Sequence, residues 1–506
     1  MKTTEASPLR IYLINPRNSY ISLVNTKHNR LNKYRIWKPL GLLVLARVTP
    51  PEWDIDVIDE NLGTPDYSSM PRPDLVGLTA FTSQADRAYE LATNFRSQGI
   101  PVVMGGIHAT MCRDEALERV DSVVTHEGEE VWPQVLRDVR AGTLKRVYDG
   151  SDVDVQRIPA ARHDLLTKGY AFGSIQTTRG CPLNCSFCSV TAFNGNRFRL
   201  RPVTDVIEEF RLMSERRILV VDDNLVGTSK QHLARSKELF RAMIDARLGK
   251  KWICQATLNM GEDEELARLA AEAGCFGVLI GFESVTVEGL TELNKKFNIR
   301  KGNEIRTSVR CLQRQGIAVM GSFLFGLDVD RKGVGLQITQ AAEAYGLDSL
   351  NLMFMTPFPG TRLWKELEAD GRIGANSFPD DWKYYTLNLP TAHYMNLSWD
   401  EMVSEFVGAF RRFYAYPRLL RRVVANFLVS RRFSNALTSL VTNVINRRNL
   451  ALDVMMFSRY DMSRGAVPFA DRKSKQASGL APASPLRPRP RPAPVQADTS
   501  SVGSTN

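Results

Sequence analysis

Two stretches of the chain repeat one local pattern, in which a short apolar run is followed by a polar or amphipathic segment. Such runs are typical of strands that are covered on both faces of a parallel sheet. In residues 9–150 the runs fall at 11–16, 55–59, 75–79, 101–106 and 122–125. Between the third and fourth runs, Ala88, Leu91, Ala92 and Phe95 lie on one face of a helix. The pattern predicts a doubly wound α/β domain of the Rossmann-like (flavodoxin-like) type, with ligands at the carboxyl ends of its strands.

The second stretch, residues 173–375, predicts six strand–helix units in succession. Its apolar runs follow a strand at its start and fall at 218–221, 252–256, 277–281, 321–325 and 349–355. Consecutive units of this kind form a partial parallel (βα)6 barrel, whose chemistry lies at the carboxyl ends of the strands. Residues 151–172 show little regular pattern, and we expect them to be a linker between the two domains.

Three of the seven cysteines, Cys181, Cys185 and Cys188, stand in a C-x3-C-x2-C pattern after the first strand of the second stretch. Three thiolates can hold three corners of a 4Fe–4S cluster and leave the fourth iron open for a substrate or cofactor. The alternatives are a zinc knuckle, which needs a fourth ligand that is absent nearby, and a chance cluster of buried thiols. The spacing favours the cluster, and the irregular cysteine usage of the whole chain indicates a reducing cytoplasm.

The positive charge of the chain is confined to its carboxyl-terminal part. Residues 411–506 hold 17 Lys and Arg against 4 Asp and Glu, an excess larger than the net charge of +11 of the whole chain. The preceding body is nearly neutral, and we expect no nucleic-acid partner. Residues 1–8 do not open a signal peptide, and no apolar run reaches the ~18 residues of a membrane span. This predicts a cytoplasmic protein, soluble or peripheral at the inner face of the membrane.

The residues around the cysteines carry a family resemblance. Arg179-Gly180-Cys181-Pro182 and the aromatic Phe187 before the third cysteine resemble the signature of radical S-adenosylmethionine (radical SAM) enzymes. Upstream stand, in order, Lys38-Pro39-Leu40-Gly41-Leu42-Leu43, Gly105-Gly106-Ile107-His108-Ala109-Thr110 and His126-Glu127-Gly128-Glu129-Glu130. Together these strings look like the cobalamin-binding domain that precedes many such enzymes. The chain thus resembles the radical SAM enzymes that have a cobalamin-binding domain.

The resemblance implies three cofactors: a 4Fe–4S cluster on the three cysteines, S-adenosylmethionine, and cobalamin. The residues implied in binding S-adenosylmethionine are Phe187, Asp222, Asn224, Asn259, Glu283 and Ser284. Those implied in binding cobalamin are Thr79, Thr82, Gly105, Gly106, His108, Glu127 and Gly128. A sulfonium cation with an ammonium group and ribose hydroxyls does need carboxylate and amide partners. A helix cap or a solvated loop explains a single acid such as Asp222 or Asp223 equally well.

One departure from some cobalamin proteins concerns the cobalt. The motif D-x-H-x-x-G, which supplies a histidine to the cobalt in those proteins, is absent, because His108 lacks the later glycine. The resemblance then implies cobalamin with its own base displaced and no protein histidine on the metal. Ligation by His108 is the less favoured alternative, although neutral imidazole is a good metal ligand.

The activity that the resemblance implies is C-methylation of an unactivated carbon. A 5′-deoxyadenosyl radical from S-adenosylmethionine removes a hydrogen atom, and methylcobalamin supplies the methyl group. Two alternatives share the motifs: a cobalamin-linked radical cyclase or oxidoreductase without net methyl transfer, and a non-catalytic iron–sulfur sensor. A tRNA methylthiotransferase fits less well, because such an enzyme has three further cluster cysteines where residues 1–150 hold only Cys112.

The resemblance covers residues 10–375 and not the carboxyl-terminal part. Residues 376–472 are predicted to form a helical domain, rich in aromatic residues and then in arginine pairs, and residues 473–506 a disordered tail. The arginine-rich helices suit an anionic membrane, a partner protein or an ordinary solvated face. We expect a small, hydrophobic substrate, lipid- or tetrapyrrole-like, and a reducing partner such as flavodoxin or ferredoxin.

Overall fold

The computed structural model of the chain describes residues 9–20, 37–151, 153–299 and 304–477. Its amino-terminal strands are β1 (Leu9–Asn15), β2 (Trp53–Asp59), β3 (Leu75–Thr79), β4 (Val102–Gly105), β5 (Ser122–His126) and β6 (Val147–Gly150). They form one parallel sheet in the order β2-β1-β3-β4-β5-β6, and the first five are the predicted strands. The order reverses at β1, as in doubly wound folds, so the predicted fold class is confirmed for this domain.

The sequence does not predict β6, which lies at the edge of the sheet and alternates exposed and buried residues. A strand with one wet face lacks the continuous apolar run that marks the buried strands. Its last residue, Gly150, pairs with His126 in β5. A Cβ at position 150 would lie 1.7 Å from the carbonyl oxygen of Glu127, so the end of β6 closes on the loop after β5.

The helices around this sheet are α1 (Leu40–Val48), α2 (Ala85–Ser97), α3 (Gly106–Met111), α4 (Arg113–Arg119) and α5 (Trp132–Ala141). Helix α2 buries Ala88, Leu91, Ala92 and Phe95, as their spacing predicts. The predicted linker contains one short 3-10 turn, Val155–Arg157, and packs apolar side chains against α1. The linker is therefore attached firmly to the amino-terminal domain.

The next strands are β7 (Gly173–Ile175), β8 (Thr178–Arg179), β9 (Arg199–Leu200), β10 (Arg217–Val220), β11 (Lys251–Ala256), β12 (Cys275–Glu283), β13 (Ala318–Phe325) and β14 (Ser349–Phe354). Strands β8 and β9 form a small antiparallel ribbon. The other six form a second parallel sheet in the order β14-β13-β12-β11-β10-β7. This sheet is open between β7 and β14, which confirms the predicted partial barrel.

The helices of the barrel are α6 (Ser189–Asn194), α7 (Val203–Leu212), α8 (Lys230–Asp245), α9 (Glu264–Glu272), α10 (Val287–Glu292), α11 (Lys296–Ile299), α12 (Ile305–Gln315), α13 (Val334–Tyr345) and α14 (Arg362–Ala369). Their apolar faces and the sheet share one hydrophobic core. Because all six strands are parallel, their carboxyl ends open on one side of the barrel. Cys254 and Cys275 lie buried in this core, as expected of cysteines in apolar strands.

The carboxyl-terminal part contains α15 (Trp399–Phe413), α16 (Tyr416–Ser430), α17 (Phe433–Phe457) and α18 (Phe469–Ala477). Its aromatic residues are mostly core: Trp399 and Phe406 pack into the barrel, whereas Trp382 and Tyr385 pack into the amino-terminal domain. Since α18 extends to Ala477, the disordered tail predicted from residue 473 does not begin before that helix ends. Residues 478–506 lie outside the described residues.

Helix α17 lies along the open edge of the barrel. The side chain of Asn443 donates to the carbonyl of Asp348, 3.0 Å away at the start of β14, and the ring of Phe457 lies 6.0 Å from that of Phe354 at its end. An edge strand with free backbone groups is thereby covered. None of the described helices combines the length and the apolar composition that crossing a membrane requires.

Candidate functional site

The three cysteines lie on the loop between β8 and α6, which neighbouring segments hold in place. The N–H of Ser186 donates to the carbonyl of Leu293 at 3.1 Å, and the carbonyl of Ser186 accepts from the N–H of Leu363 at 3.0 Å. Gly180 has φ +84°, and a Cβ on it would lie 2.3 Å from the carbonyl oxygen of Arg197. The loop is therefore packed against the segments after β12 and β14, and position 180 requires glycine.

Burial has the largest effect on the pKa of each of the three thiols. Cys185 is buried and the other two are half-buried. Burial raises the pKa of Cys181 and Cys188, and raises that of Cys185 to about 12. Loop N–H groups lower the pKa of Cys181 and Cys188, and the nearby Lys295 ammonium lowers it for all three. The free thiols are protonated at neutral pH, and they ionise when a metal binds.

The donors on this loop fit an iron–sulfur cluster better than a zinc ion. Within the described ranges, no group of three or more His, Cys, Asp or Glu side chains is arranged to hold a single metal ion. Zinc needs four ligands around one point, whereas a cluster with one open iron takes three thiolates at separate corners. The side-chain amide of Asn224 lies 3.9 Å from the Cys181 sulfur and adds a hydrogen-bond donor of the kind that tunes such clusters. Ligation by the three cysteines stays a prediction that this arrangement supports.

A buried ion pair lies beside the cysteines. Glu283 ends β12 with φ +66°, and its carboxylate lies 3.4 Å from the ammonium group of Lys295, each side chain being 8% exposed. Burial raises the pKa of Glu283, and Lys295 opposes that rise. Burial lowers the pKa of Lys295, but Glu283 and the three thiols outweigh it and raise that pKa overall. The Lys295 ammonium group thus interacts electrostatically with both the Glu283 carboxylate and the three cysteines. The sequence carries no signal for this residue, because a lysine after a short helix is normally solvated.

The two aspartates after β10 brace the segment that leads to the cysteines. Asp222 is fully buried and accepts from the N–H and the hydroxyl of Thr177, both at 2.6 Å, and from the hydroxyl of Thr178 at 2.9 Å. Asp223 accepts from the N–H of Gly180 at 3.1 Å, and burial together with Asp222 raises its pKa to about 6. Both oxygens of Asp222 are therefore engaged by the protein. The structure thus places Asp222 where it positions the segment before the cysteines, and its contact with S-adenosylmethionine stays a prediction.

The remaining residues predicted for S-adenosylmethionine gather at the carboxyl ends of β10, β11 and β12. The Asn224 carbonyl accepts from the N–H of Thr257 at 3.3 Å, and the Thr257 hydroxyl donates to Asn259 at 2.6 Å. Ser284 directly follows Glu283 and is buried, and Phe187 is half-buried against the barrel core. These residues share one end of the barrel with the cysteine loop, and their contact with the cofactor stays a prediction.

Five of the residues predicted for cobalamin share the corresponding end of the amino-terminal sheet. Thr79, Gly105 and Gly128 lie at or just after the ends of β3, β4 and β5, and Thr82 begins a short 3-10 turn after β3. Gly106 has φ +89°, and a Cβ on it would lie 2.7 Å from the Thr79 hydroxyl oxygen. The tight turn from β4 into α3 therefore needs glycine. Binding of cobalamin by these five residues stays a prediction.

His108, in the first turn of α3, lies in the interior, and its contact with cobalamin stays a prediction. Its side chain is fully buried, its Nε2 lies 2.8 Å from the Tyr89 hydroxyl, and its ring lies 5.5 Å from that of Trp382. Nδ1 has no hydrogen-bond partner in the part of the chain that the structure describes. Tyr89 and Trp382 thus cover the imidazole that the sequence placed at a strand end. The sequence around Gly105 and Gly106 indicates that a helix begins after β4, but it does not indicate which side chains of the first turn face the core.

Glu127 belongs to an ion-pair cluster between the two domains. It accepts from Arg199 at 2.8 Å and lies 3.4 Å from a nitrogen of Arg179, which also donates to Glu129 at 2.8 Å. These four residues form the interdomain ion-pair cluster. Burial lowers the pKa of Arg179, but Glu129 and Glu127 outweigh it and raise that pKa. Glu127 is therefore paired with two arginines, and its role in binding cobalamin stays a prediction. Its partners lie 50 or more positions away, so no local pattern reveals them.

Further contacts join the carboxyl ends of the two sheets. The rings of His126, which ends β5, and Phe193, which follows the cysteines in α6, lie 5.9 Å apart. Below them the N–H of Lys38 donates to the hydroxyl of Ser174 in β7 at 2.9 Å. Two cavities of about 170 and 300 Å³ are lined only by residues of the barrel and the helices after it. Neither cavity includes a residue of the amino-terminal domain. We define the candidate site by the strand-end side chains at the junction between the two sheets.

Two family models match the chain on either side of this junction. The model described as B12 binding domain matches residues 30–136, which include β2 to β5. The model described as Radical SAM superfamily matches residues 175–330, which include the cysteine loop and β10 to β13. The two matches stand in the predicted order.

Known proteins match across both domains. The bacteriochlorophyllide d C-12(1)-methyltransferase of Chlorobaculum tepidum is 29% identical over an alignment of 426 positions, which covers 79% of this chain and 89% of the relative. The cytidylyl-2-hydroxyethylphosphonate methyltransferase of Streptomyces wedmorensis is 31% identical over an alignment of 412 positions, which covers 67% of this chain and 74% of the relative. Each match spans most of the relative, so the similarity extends beyond either domain alone.

A solved structure shares the fold. The radical S-adenosylmethionine methyltransferase TsrM from Kitasatospora setae, with cobalamin and a 4Fe–4S cluster bound, superposes with a TM-score of 0.59 at 20% identity, over 74% of this chain and 76% of that one. The predicted two-domain architecture is thereby confirmed, and the two family models confirm the cofactor set of cluster, S-adenosylmethionine and cobalamin. With the cysteine motif, the domain order and these relatives in agreement, the chain belongs to the radical SAM enzymes that carry a cobalamin-binding domain.

Proposed function

We propose that this enzyme is a C-methyltransferase that acts on an unactivated carbon of a small hydrophobic molecule. The observation that carries the proposal is the junction of the two sheets. The interdomain ion-pair cluster ties the loop at the carboxyl end of β5 to the loop that carries the cysteines. Ligands of parallel sheets and barrels bind at these ends. Cofactors held at the two ends would therefore meet at one substrate.

The charged residues at the junction match the groups of S-adenosylmethionine. The Lys295 ammonium complements the carboxylate of its amino-acid part, and the Glu283 carboxylate complements its ammonium group. The two side chains pair with each other at 3.4 Å, so a zwitterionic ligand would replace one buried ion pair by two. Cys181, Cys185 and Cys188 would hold the cluster beside them. When bound, these cofactors supply a 5′-deoxyadenosyl radical and a methyl group on cobalt.

Aromatic residues close one side of the junction. Trp364, at the start of α14, packs its ring 5.7 Å from that of Trp382, which stacks on Phe378 at 3.7 Å. The indole N–H of Trp382 donates to Glu115 of the amino-terminal domain at 2.9 Å. A radical reaction needs such a wall, because loose hydrogen donors would quench the radical. The wall therefore serves the proposed chemistry as well as the packing of the domains.

We also propose the substrate class, the reducing partner and the location. The relative matched over 79% of this chain is named for a bacteriochlorophyllide, which supports a hydrophobic, tetrapyrrole- or lipid-like substrate. Phe81 is 59% exposed in the loop after β3 and adds apolar surface at that end of the sheet. A flavodoxin- or ferredoxin-like protein would supply electrons in the cytoplasm. The carboxyl-terminal region would contact the inner face of the membrane.

Anaerobic reconstitution tests the reaction type. The protein is loaded with iron, sulfide, cobalamin and S-adenosylmethionine, reduced, and given an extract of a strain that lacks the gene. We expect 5′-deoxyadenosine and S-adenosylhomocysteine to form together, because one S-adenosylmethionine supplies the radical and a second recharges the cobalt. Mass spectrometry should show a product that is heavier by one methyl group.

Two variants serve as controls for this experiment. Cys188→Ala removes a predicted cluster ligand and should abolish cleavage of S-adenosylmethionine. Cys311→Ala changes a half-buried cysteine outside the motif and should retain it. Formation of 5′-deoxyadenosine without S-adenosylhomocysteine would instead support a radical cyclase or oxidoreductase. Absence of any cleavage by the loaded wild-type protein would support a non-catalytic sensor.

A further inference from the structure

The hairpin of α16 and α17 exposes a continuous stripe of apolar side chains. Its members are Leu420, Val424, Phe427 and Leu428 on α16, and Phe433, Leu437 and Val441 on α17. On α16 the steps from Leu420 to Val424 and on to the adjacent Phe427 and Leu428 are three or four residues, and on α17 every step is four, so each set lies on one face. Their exposed fractions run from 43% for Phe427 to 75% for Phe433. These seven residues form the apolar ridge.

The buried faces of the same helices carry polar residues among apolar ones such as Leu419 and Phe457. Asn426 and Ser430 of α16 and Ser439 and Asn443 of α17 are all buried. The amide of Asn426 donates to the carboxylate of Asp348 at 2.6 Å, and that of Asn443 donates to its carbonyl at 3.0 Å. The hairpin is therefore attached to the barrel by these polar contacts as well as by apolar ones such as Phe457 on Phe354, and it turns the apolar ridge outward. A helix in contact with water alone has the opposite arrangement.

The charge of the hairpin is predominantly positive. Between residues 416 and 457 the sequence holds seven arginines and a single acid, Asp453. Arg421, Arg431 and Arg432 are exposed next to the apolar ridge, and Arg448 is exposed further along α17. Two copies of this face would repel each other, and a nucleic acid would leave the apolar ridge in water. An anionic lipid surface satisfies both the arginines and the apolar residues.

We propose that the α16–α17 hairpin lies on an anionic membrane surface, with the apolar ridge at the boundary of headgroups and acyl chains and the exposed arginines on lipid phosphates. Helix α17 continues from the ridge to Met456, whose carbonyl accepts from the Tyr20 hydroxyl at 2.7 Å. Tyr20 belongs to the segment after β1, so one helix connects the membrane surface with the carboxyl end of the amino-terminal sheet. This surface would place the enzyme beside a substrate carried by the membrane, and for that substrate the proposal rests on the proposed function.

Flotation of the full chain with lipid vesicles tests this surface. The vesicles consist of phosphatidylcholine alone or of an equal mixture with phosphatidylglycerol. We expect the wild type to float with the anionic vesicles, and Leu428→Ser with Phe433→Ser to weaken partitioning by about tenfold or more. Arg421→Gln and Arg431→Gln should weaken it about fivefold for each arginine removed. Circular dichroism checks that each variant keeps the helical content of the wild type.

The matched control is Leu212→Ser with Leu336→Ser, which removes apolar residues of 59% and 43% exposure from other helices. This control should float like the wild type. The proposal is overturned if the ridge variant also floats like the wild type, or if the wild type ignores anionic vesicles. It is equally overturned if the ridge mediates a dimer that Leu428→Ser with Phe433→Ser dissociates without lipid. Flotation requires no turnover, whereas S-adenosylmethionine cleavage requires no vesicles, so the two proposals fail separately.

Discussion

Glu283 and Lys295 are the residues on which the charge balance of the site depends. A buried charge without a partner costs several kcal/mol, and here each charge is the main compensation for the other. The positive φ of Glu283 and the register shift where β12 meets β13 turn this carboxylate back toward the barrel end. The pair therefore holds two opposite charges ready at the site before any ligand arrives.

Breaking this pair should destabilise the protein. Lys295→Met leaves a buried carboxylate alone and should lower the free energy of unfolding by about 3–5 kcal/mol. Adding Glu283→Gln should recover most of the loss, because the neutral amide needs no cation. Denaturant titration of the cofactor-free protein measures both effects. The exposed neighbour is the control, since Lys296→Met should change little. Equal stability of the Lys295 and Lys296 variants would show that the pair contributes nothing.

Asp330 gives the chain a pH-dependent stability outside the site. It accepts from the N–H groups of Gly326 and Leu327 at 2.8 and 2.9 Å, and burial raises its pKa to about 6. A carboxyl group whose pKa is raised on folding binds its proton more tightly in the native state. Its contribution to stability is therefore complete below its usual pKa and is lost as the pH rises to about 6.

Replacement of Asp330 should remove its contribution to the pH dependence of the free energy of unfolding. Asp330→Asn does not titrate, so its stability relative to the wild type should rise by about 3 kcal/mol between pH 4 and pH 7. Urea midpoints measured across this range give the difference. Asp370→Asn, at an exposed position, should follow the wild-type profile throughout. Parallel profiles for wild type and Asp330→Asn would contradict the raised pKa.

At the scale of elements, the interdomain ion-pair cluster couples the loop after β5 to the β8–β9 ribbon. Arg199 also donates to the carbonyl of Val153 in the linker at 3.2 Å. Its side chain is 16% exposed, whereas that of Arg211, which pairs with Glu208, is 52% exposed. Desolvated hydrogen bonds to charged groups contribute more than exposed ion pairs, so the cluster should matter where the surface pair does not.

Variants of Arg199 and Arg211 test whether the interdomain ion-pair cluster stabilises the protein more than the exposed pair does. Arg199→Gln should lower the free energy of unfolding by about 1.5–3 kcal/mol, and Arg211→Gln by less than about 0.5 kcal/mol. Because Arg199 also holds the linker, its replacement should speed protease cleavage within residues 151–172. Cleavage sites are read by mass spectrometry. If both variants show wild-type stability and linker cleavage, the cluster does not hold the domains together.

The strands show how much of the fold could be predicted from the sequence. Each strand buried on both faces leaves an apolar run, so the two parallel sheets and their order of appearance follow from the sequence alone. The edge strand β6 leaves no such run. The cysteine loop is also evident locally, whereas Lys295 and the partners of Glu127 are not, because they meet only when distant segments pack. The glycine turn before His108 is likewise evident locally, but the burial of its imidazole is not, since Trp382, which packs on the ring, comes from the carboxyl-terminal region.

At the scale of the whole molecule, the carboxyl-terminal region completes both domains. Trp382 and Tyr385 fill the core of the amino-terminal domain, and α15 packs its aromatic side chains into the barrel. Helix α17 then covers the open edge at β14. A region whose sequence lies outside the family resemblance is thus part of the same structure, and it also carries the apolar ridge. The cofactor residues and the apolar ridge are therefore carried by different parts of one packed structure.

Two truncated chains should show that helices α16 to α18 are needed for a soluble fold and that residues 478–506 are not. A chain that stops after residue 415 loses α16 to α18, uncovers the edge of β14 and removes the Asn426 and Asn443 bonds to Asp348. Because an exposed edge strand pairs with other chains, we expect most of this protein to be aggregated or insoluble. A chain that stops after residue 477 keeps every described helix and should match the full chain in solubility and melting temperature. Size-exclusion chromatography and thermal melts compare the three proteins. A soluble, monomeric protein ending at 415 would show that the barrel does not need α17 at its edge.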